Sequence, residues 1–153
     1  YSGCYTLMAG ASSADIRRTA EIQVNASEFD GLDVTAGIPA VSALDYIGAR
    51  FCADRDLNEY ALLDDWQSSI SFEACRLRGY RTVKITASNP GVPVTLNITC
   101  AETGQAVAQV VVPSTAGMTS FETVSAPAEP LDGIFTLKFT VSGMLSLRSF
   151  SFS

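Results

Sequence analysis

IFTLKFTV at residues 134–141 and LSLRSFSF at residues 145–152 each alternate apolar and polar side chains, and they join near Ser142-Gly143. A period of two places every second side chain on one face, so each run reads as a half-buried strand, and the short join makes the two antiparallel. Phe150 and Phe152 share one face and are read as core. The pattern recurs upstream. SISFEAC (69–75) sets Ile70, Phe72 and Ala74 against Ser69, Ser71 and Cys75, and RTVKITA (81–87) puts Val83 and Ile85 on one face. VTLNITC (94–100) and AVAQVVV (106–112) flank AETGQ, a glycine-containing hairpin loop. The breakers Asn89-Pro90-Gly91, Pro113, Pro127, Pro130 and Gly133 fall between runs. Helix is scarce, and residues 57–66 are read as a turn or a short helix. Short strands at this spacing predict an all-β fold, an antiparallel two-sheet sandwich.

The 153 residues suit one main domain, and 47% hydrophobic against 17% charged residues is enough to bury a core. Ten Lys+Arg against 16 Asp+Glu give a net charge of −6, which disfavours a nucleic acid partner. Histidine is absent, which excludes Ser-His-Asp and Cys-His catalysis and imidazole-based zinc sites. No apolar run is long enough to span a membrane.

The chain opens at Tyr1 rather than Met, as a processed or excised chain does. Its four cysteines, Cys4, Cys52, Cys75 and Cys100, contain no C-x-x-C pair. An even count without metal-type spacing is read as two disulfides of an oxidising compartment, with three pairings open. Two sequons, Asn25-Ala26-Ser27 and Asn97-Ile98-Thr99, make Asn25 and Asn97 candidate glycosylation sites and point to the same secreted or extracellular location.

Residues 1–22 stand apart as an extended N-terminal arm on a body of residues 23–153. Tyr1, Tyr5, Leu7 and Ala9 alternate as a half-buried strand does, and the small residues from Ala9 to Ala14 form a flexible joint. A lone strand needs a partner, and sandwich edges accept an added strand. Tyr1, Tyr5 and Leu7 are therefore candidate assembly residues docking on a neighbouring copy, a head-to-tail contact that builds filaments or rings. Packing on its own sandwich, or service as a linker in a longer enzyme, are the alternatives.

From Val24 onward the order of pieces resembles carbohydrate-binding module family 6. VNASEFDG (24–31) resembles the family's opening strand, Tyr46-Ile47-Gly48 its Gly-Tyr-Ile, and Asp65-Trp66 its Asp-Trp/Tyr strand start. Gly79-Tyr80-Arg81-Thr82-Val83 with Ala87-Ser88 is similar to Gly-x-Tyr-x-Val…Ala-Ser. VVVPSTAGMTSFETV (110–124) resembles Val-Pro-x-Thr-Gly-Gly-Trp-x-x-Phe-x-x-Val, and Leu131-Asp132-Gly133 and the closing strand complete the series.

The resemblance implies a jelly-roll module of the kind attached to secreted glycan-degrading enzymes, with a cleft that holds a sugar ring between two aromatics and an Asn. Tyr46 matches one aromatic; Met118 stands where the second, a Trp, is expected, and Ser146 where the Asn is. Tyr46, Met118 and Ser146 are thus the candidate glycan-binding residues. At the family's calcium site Asn25 and Ser27 replace two Glu, and Arg148 replaces an Asp. A guanidinium has no acceptor atoms and repels a cation, so no metal is expected.

CADRDLNEYALLDDW (52–66) sets Asp54, Asp56, Asn58 and Asp65 at positions one, three, five and twelve of a calcium loop, but position six is Glu59 rather than Gly. It is read as a solvated acidic loop with Asp64 or Asp65 as a cap. Trp66, the sole tryptophan, is read as core. The chain as a whole reads as a non-catalytic secreted glycan-binding module, not an enzyme and without a cofactor. The alternative is a structural subunit of an extracellular filament. Its partners are a glycan, or copies of itself through the arm.

Overall fold

The computed structural model describes residues 3–12, 15–24 and 30–153. Two compact units make up the chain, Tyr1–Asp30 and Gly31–Ser153. In the first, β1 (Gly3–Ser12) and β2 (Asp15–Val24) pair antiparallel as a two-stranded sheet. The arm is therefore a hairpin rather than a lone strand. Gly10 and Ala11, expected in a flexible joint, lie within β1. The expected boundary after Ile22 falls inside β2, because Gln23 and Val24 continue the pairing opposite Cys4 and Gly3. Tyr1, Asn25 and Ser27 lie outside the described residues, as does most of the expected opening strand.

The second unit is a sandwich of two six-stranded sheets. Its strands are β3 (Leu32–Asp33), β4 (Ile38–Pro39), β5 (Asp45–Ile47), β6 (Ala49–Ala53), β7 (Glu59–Leu63), β8 (Ser69–Arg78), β9 (Thr82–Ser88), β10 (Val94–Cys100), β11 (Ala106–Val112), β12 (Glu122–Pro127), β13 (Asp132–Val141) and β14 (Leu145–Phe152). The first sheet runs β11-β10-β13-β8-β3 with β5 also on β8; the second runs β12-β9-β14-β7-β6 with β4 on β14. Every pairing is antiparallel except β3 with β8. The strands read from 94–100, 106–112 and 145–152 match β10, β11 and β14 residue for residue.

The core forms where the inward rows of the sheets meet. Phe72 and Phe139 from one sheet interlock with Phe150 from the other at ring separations of 4.7–5.1 Å, and Phe152 extends the cluster. These tilted and edge-to-face contacts suit the ring quadrupole.

Three expectations change. The residues read as a short helix form β7, whose Tyr60–Leu63 are buried on both faces. In β8 a bulge opposite Thr136, with Ala74 at φ 52°, advances the phase, so Cys75 and Leu77 point inward and Ala74 does not follow Phe72. The four cysteines are free rather than paired. Cys75 on β8 and Cys100 on β10 sit on opposite sides of β13. Two strand spacings are about 9–10 Å, beyond the roughly 7 Å that a disulfide spans. Cys52 pairs with Tyr60 in the other sheet. Burial pushes the Cys75 thiol up to about 12.

Candidate functional site

Gly48 is where the chain leaves one sheet for the other: β5, just before it, pairs with β8, and β6, just after it, pairs with β7. Its φ of 62° makes that turn, a conformation L side chains adopt at a cost. The buried Ser68 hydroxyl donates to the Gly48 carbonyl at 3.1 Å. Ser68 is held in turn by Asp65, whose Oδ1 accepts the N–H groups of Gln67 (2.7 Å) and Ser68 (2.9 Å). Asp64 pairs with Arg50 at 2.9 Å. Asp65 is thus the cap anticipated for this turn.

This corner displays aromatic surface. Tyr46 on β5 is 54% exposed and meets Phe51 of β6 edge-to-face, with ring centroids 5.1 Å apart. Trp66, in the Asp65 turn, is 72% exposed rather than core, because the turn that Asp65 closes carries it into solvent. Leu44 and Ile47 flank Tyr46 and are also exposed. Phe51 and Trp66 were not anticipated here. Phe51 lies outside the quoted motifs, and Trp66, quoted only in the Asp65-Trp66 strand start, was read as core.

The other residues expected to touch a sugar are Ser146 on β14 and Met118 on the segment 113–121. Ser146, on β14 between β9 and β7, is fully buried with its hydroxyl unpaired, so a ligand has no access to it. The segment 113–121 is stitched to its neighbour, Ser88. The Thr115 hydroxyl lies 3.0 Å from that of Ser88 and accepts the Asn89 N–H at 2.9 Å, while the Ser88 hydroxyl donates to the Gly117 carbonyl. Met118 is partly exposed on the same segment. Tyr46 takes Phe51 as its ring neighbour.

The acidic loop spends its carboxylates internally. Asp54 Oδ1 accepts the N–H groups of Asp56 and Asn58, both at 2.9 Å, and Asn58 Nδ2 reaches the same carboxylate. The Asn58 backbone bond is the main cause that holds the Asp54 carboxyl below its ordinary value. Arg148 donates to Asn58 Oδ1 at 2.7 Å and lies 5.4 Å over the Phe121 ring, which packs on Tyr60. Its guanidinium is thus occupied with the acidic loop. Among the described residues no group of three His, Cys, Asp or Glu is placed to hold an ion. No helix there is long and apolar enough to cross a membrane. Asn97 faces out from β10 and its Oδ1 accepts from Gln109 Nε2 at 2.9 Å.

No family model and no curated protein matches this sequence. Solved structures do match the fold. A module from Clostridium stercorarium in complex with cellobiose superposes with a TM-score of 0.73 at 15% identity, covering 79% of this chain and 95% of that one. The chain has the fold of a family 6 carbohydrate-binding module. A β-1,3-glucan-binding member of that family from Bacillus halodurans gives 0.71 at 17% identity, over 80% of this chain and 98% of that one. A family 43 arabinoxylan arabinofuranohydrolase from Bacillus subtilis gives 0.72 at 12% identity, over 95% of this chain but only 32% of the enzyme. In the Gly31–Ser153 unit the exposed aromatic side chains are Tyr46, Phe51 and Trp66.

Proposed function

We propose that the chain is a non-catalytic, extracellular glycan-binding module whose sugar contact is the corner formed by Tyr46, Phe51 and Trp66. The observation that carries this reading is the exposure of three aromatic side chains around the Gly48 crossover of a sugar-binding fold. An aromatic face suits the apolar C–H side of a pyranose. Because Tyr46 and Phe51 touch at 74° they leave no slot between them, so a sugar lies across the corner instead of between walls. One-sided stacking contributes about 0.5–1.5 kcal/mol per aromatic beyond its burial. Affinity near millimolar, roughly −4 kcal/mol, is expected. Catalysis finds no support, since the chain has no histidine and the Asp54 and Asp65 carboxylates are engaged by backbone N–H groups.

The sole tryptophan makes the test direct. Titration with cello-, xylo- and β-1,3-gluco-oligosaccharides should change Trp66 fluorescence and saturate in the millimolar range for at least one of them. Tyr46→Ala should abolish that saturation. Absence of any response across all three, or binding indifferent to Tyr46→Ala, would overturn the assignment.

A further inference from the structure

The edge strand β6 carries Phe51 of the aromatic corner and then borders two open cavities. The first, about 530 Å³, is walled by Phe51, Ala53 and Glu59 and by Val41 of the turn Ala40–Ser42. The second, about 540 Å³, is walled by Ala53, Asp54, Arg55, Asp56 and Thr119. Each falls within the roughly 300–1,000 Å³ of small-ligand sites. Ala53 belongs to both, and Phe51, in contact with Tyr46, belongs to the first. Phe51 and Ala53 share one face of the strand, about 7 Å apart. Corner and cavities therefore follow one another along β6.

The walls of the second cavity are fixed. Arg148 donates to Asn58 Oδ1 of the acidic loop at 2.7 Å and lies 5.4 Å over the ring of Phe121, two residues beyond Thr119. One guanidinium thus holds both sides. Asp54 closes the loop internally through the N–H groups of Asp56 and Asn58. The exposed side chains of Arg55, Asp56, Glu59 and Thr119 have no hydrogen-bond or ion-pair partner among the described residues. Their polar atoms are open to a ligand in the cavities they line.

We infer that the sugar site continues from the corner into these cavities, and that its ligand is a neutral glycan chain held along its length. The inference rests on the Tyr46 corner being the sugar contact. Val41 and Phe51 give apolar surface for ring faces, and the acidic end gives acceptors and donors for hydroxyls. Ala53 is small, which leaves the way between the two open. Three carboxylates, Asp54, Asp56 and Glu59, stand against one guanidinium, Arg55, so the groove accepts from hydroxyls and repels a uronate. The net charge of −6 acts in the same sense. One ring on the corner and one or two in each cavity give a bound length of roughly three to five sugars.

NMR titration of the full chain with di- and tetrasaccharides of the cello, xylo and β-1,3-gluco series tests this. In at least one series the tetrasaccharide should bind about tenfold more tightly than the disaccharide, and only the tetrasaccharide should shift the N–H signals of Ala53, Asp56 and Thr119. Two altered chains should each cut that ratio to about two or less and leave disaccharide affinity unchanged. Ala53→Arg stands a long side chain between the cavities. Asp56→Ala with Thr119→Ala removes two exposed polar groups and adds no bulk. Tetragalacturonate should not bind. Equal affinity for both lengths, a ratio unchanged in both altered chains, or tetragalacturonate binding as tightly as the neutral tetrasaccharides would overturn the groove and leave the corner standing. Binding with shifts at the acidic loop but indifferent to Tyr46→Ala would overturn the corner and its continuity with the groove. No binding of any of these sugars would remove both.

Discussion

Replacing Gly48 by alanine tests whether the crossover is what builds the aromatic corner. Two costs are separable. The first is the backbone: a φ of 62° costs an alanine about 1 kcal/mol. The second is space, because a Cβ there would lie 3.2 Å from Ser68 Oγ, and Ser68 is fully buried and fixed by Asp65. Relief shifts that hydroxyl by a few tenths of an ångström away from the Gly48 carbonyl, while Asp65 Oδ1 at 3.2 Å and Asp64 Oδ1 at 3.3 Å can still accept from it, so the cost is that of one hydrogen bond, about 0.5–1.5 kcal/mol. Gly104 is the internal control. It has a similar φ of 71°, but a Cβ would meet nothing within 4 Å. Gly104→Ala should cost about 1 kcal/mol and Gly48→Ala about 1.5–2.5 kcal/mol. At about 4 °C per kcal/mol for a unit of this size, the two melting temperatures should differ by roughly 2–6 °C. Circular dichroism melts and urea titrations with unchanged slope measure the gap. A gap below about 0.5 kcal/mol would mean that Ser68 does not brace the turn.

Phe150→Ala removes the ring common to three of the four aromatic contacts of the core cluster and should cost about 3–5 kcal/mol, read as a shifted urea midpoint; a cost near 1 kcal/mol would contradict the packing described. Native alkylation at pH 8 should modify the exposed Cys4 and spare Cys75, whose thiol is buried and pushed up to about 12; equal labelling by mass spectrometry would refute the buried position. Asp54 has its carboxyl held below the ordinary 3.8, so its contribution to stability is complete above 3.8 and is lost as pH falls through the lower folded value. Asp54→Asn should therefore flatten the acid side of the melting-temperature profile, and an unchanged profile would show that the loop bonds carry no linkage.

The bounds of β10, β11 and β14 were readable to the residue because Pro93, Pro113, Gly104 and Gly143 bracket them, and β10 also alternates cleanly between buried and half-buried positions. β7 was not, because Phe121 and its segment cover the outer side of Tyr60 and erase the alternation. EYALL then fits a helix as well as a strand. β5 and β6 fail for another reason: the chain changes sheets at Gly48, so no single period runs through DYIGARFCA. The phase of β8 depends on a bulge, and a bulge has no period to detect. Cysteine count suggested disulfides, but pairing is decided by strand order, which places β13 between Cys75 and Cys100. In the arm, alternation in one strand was visible, while its pairing with β2 was not.

Ser146 is fully buried on β14 beside Ser88, so the position expected to offer a polar contact meets no solvent, and Thr115 ties the segment 113–121 to Ser88. Tyr46, Phe51 and Trp66 remain exposed at the Gly48 corner. A corner of that kind has stacking surface and little depth, so in the proposed reading each copy holds a sugar only weakly.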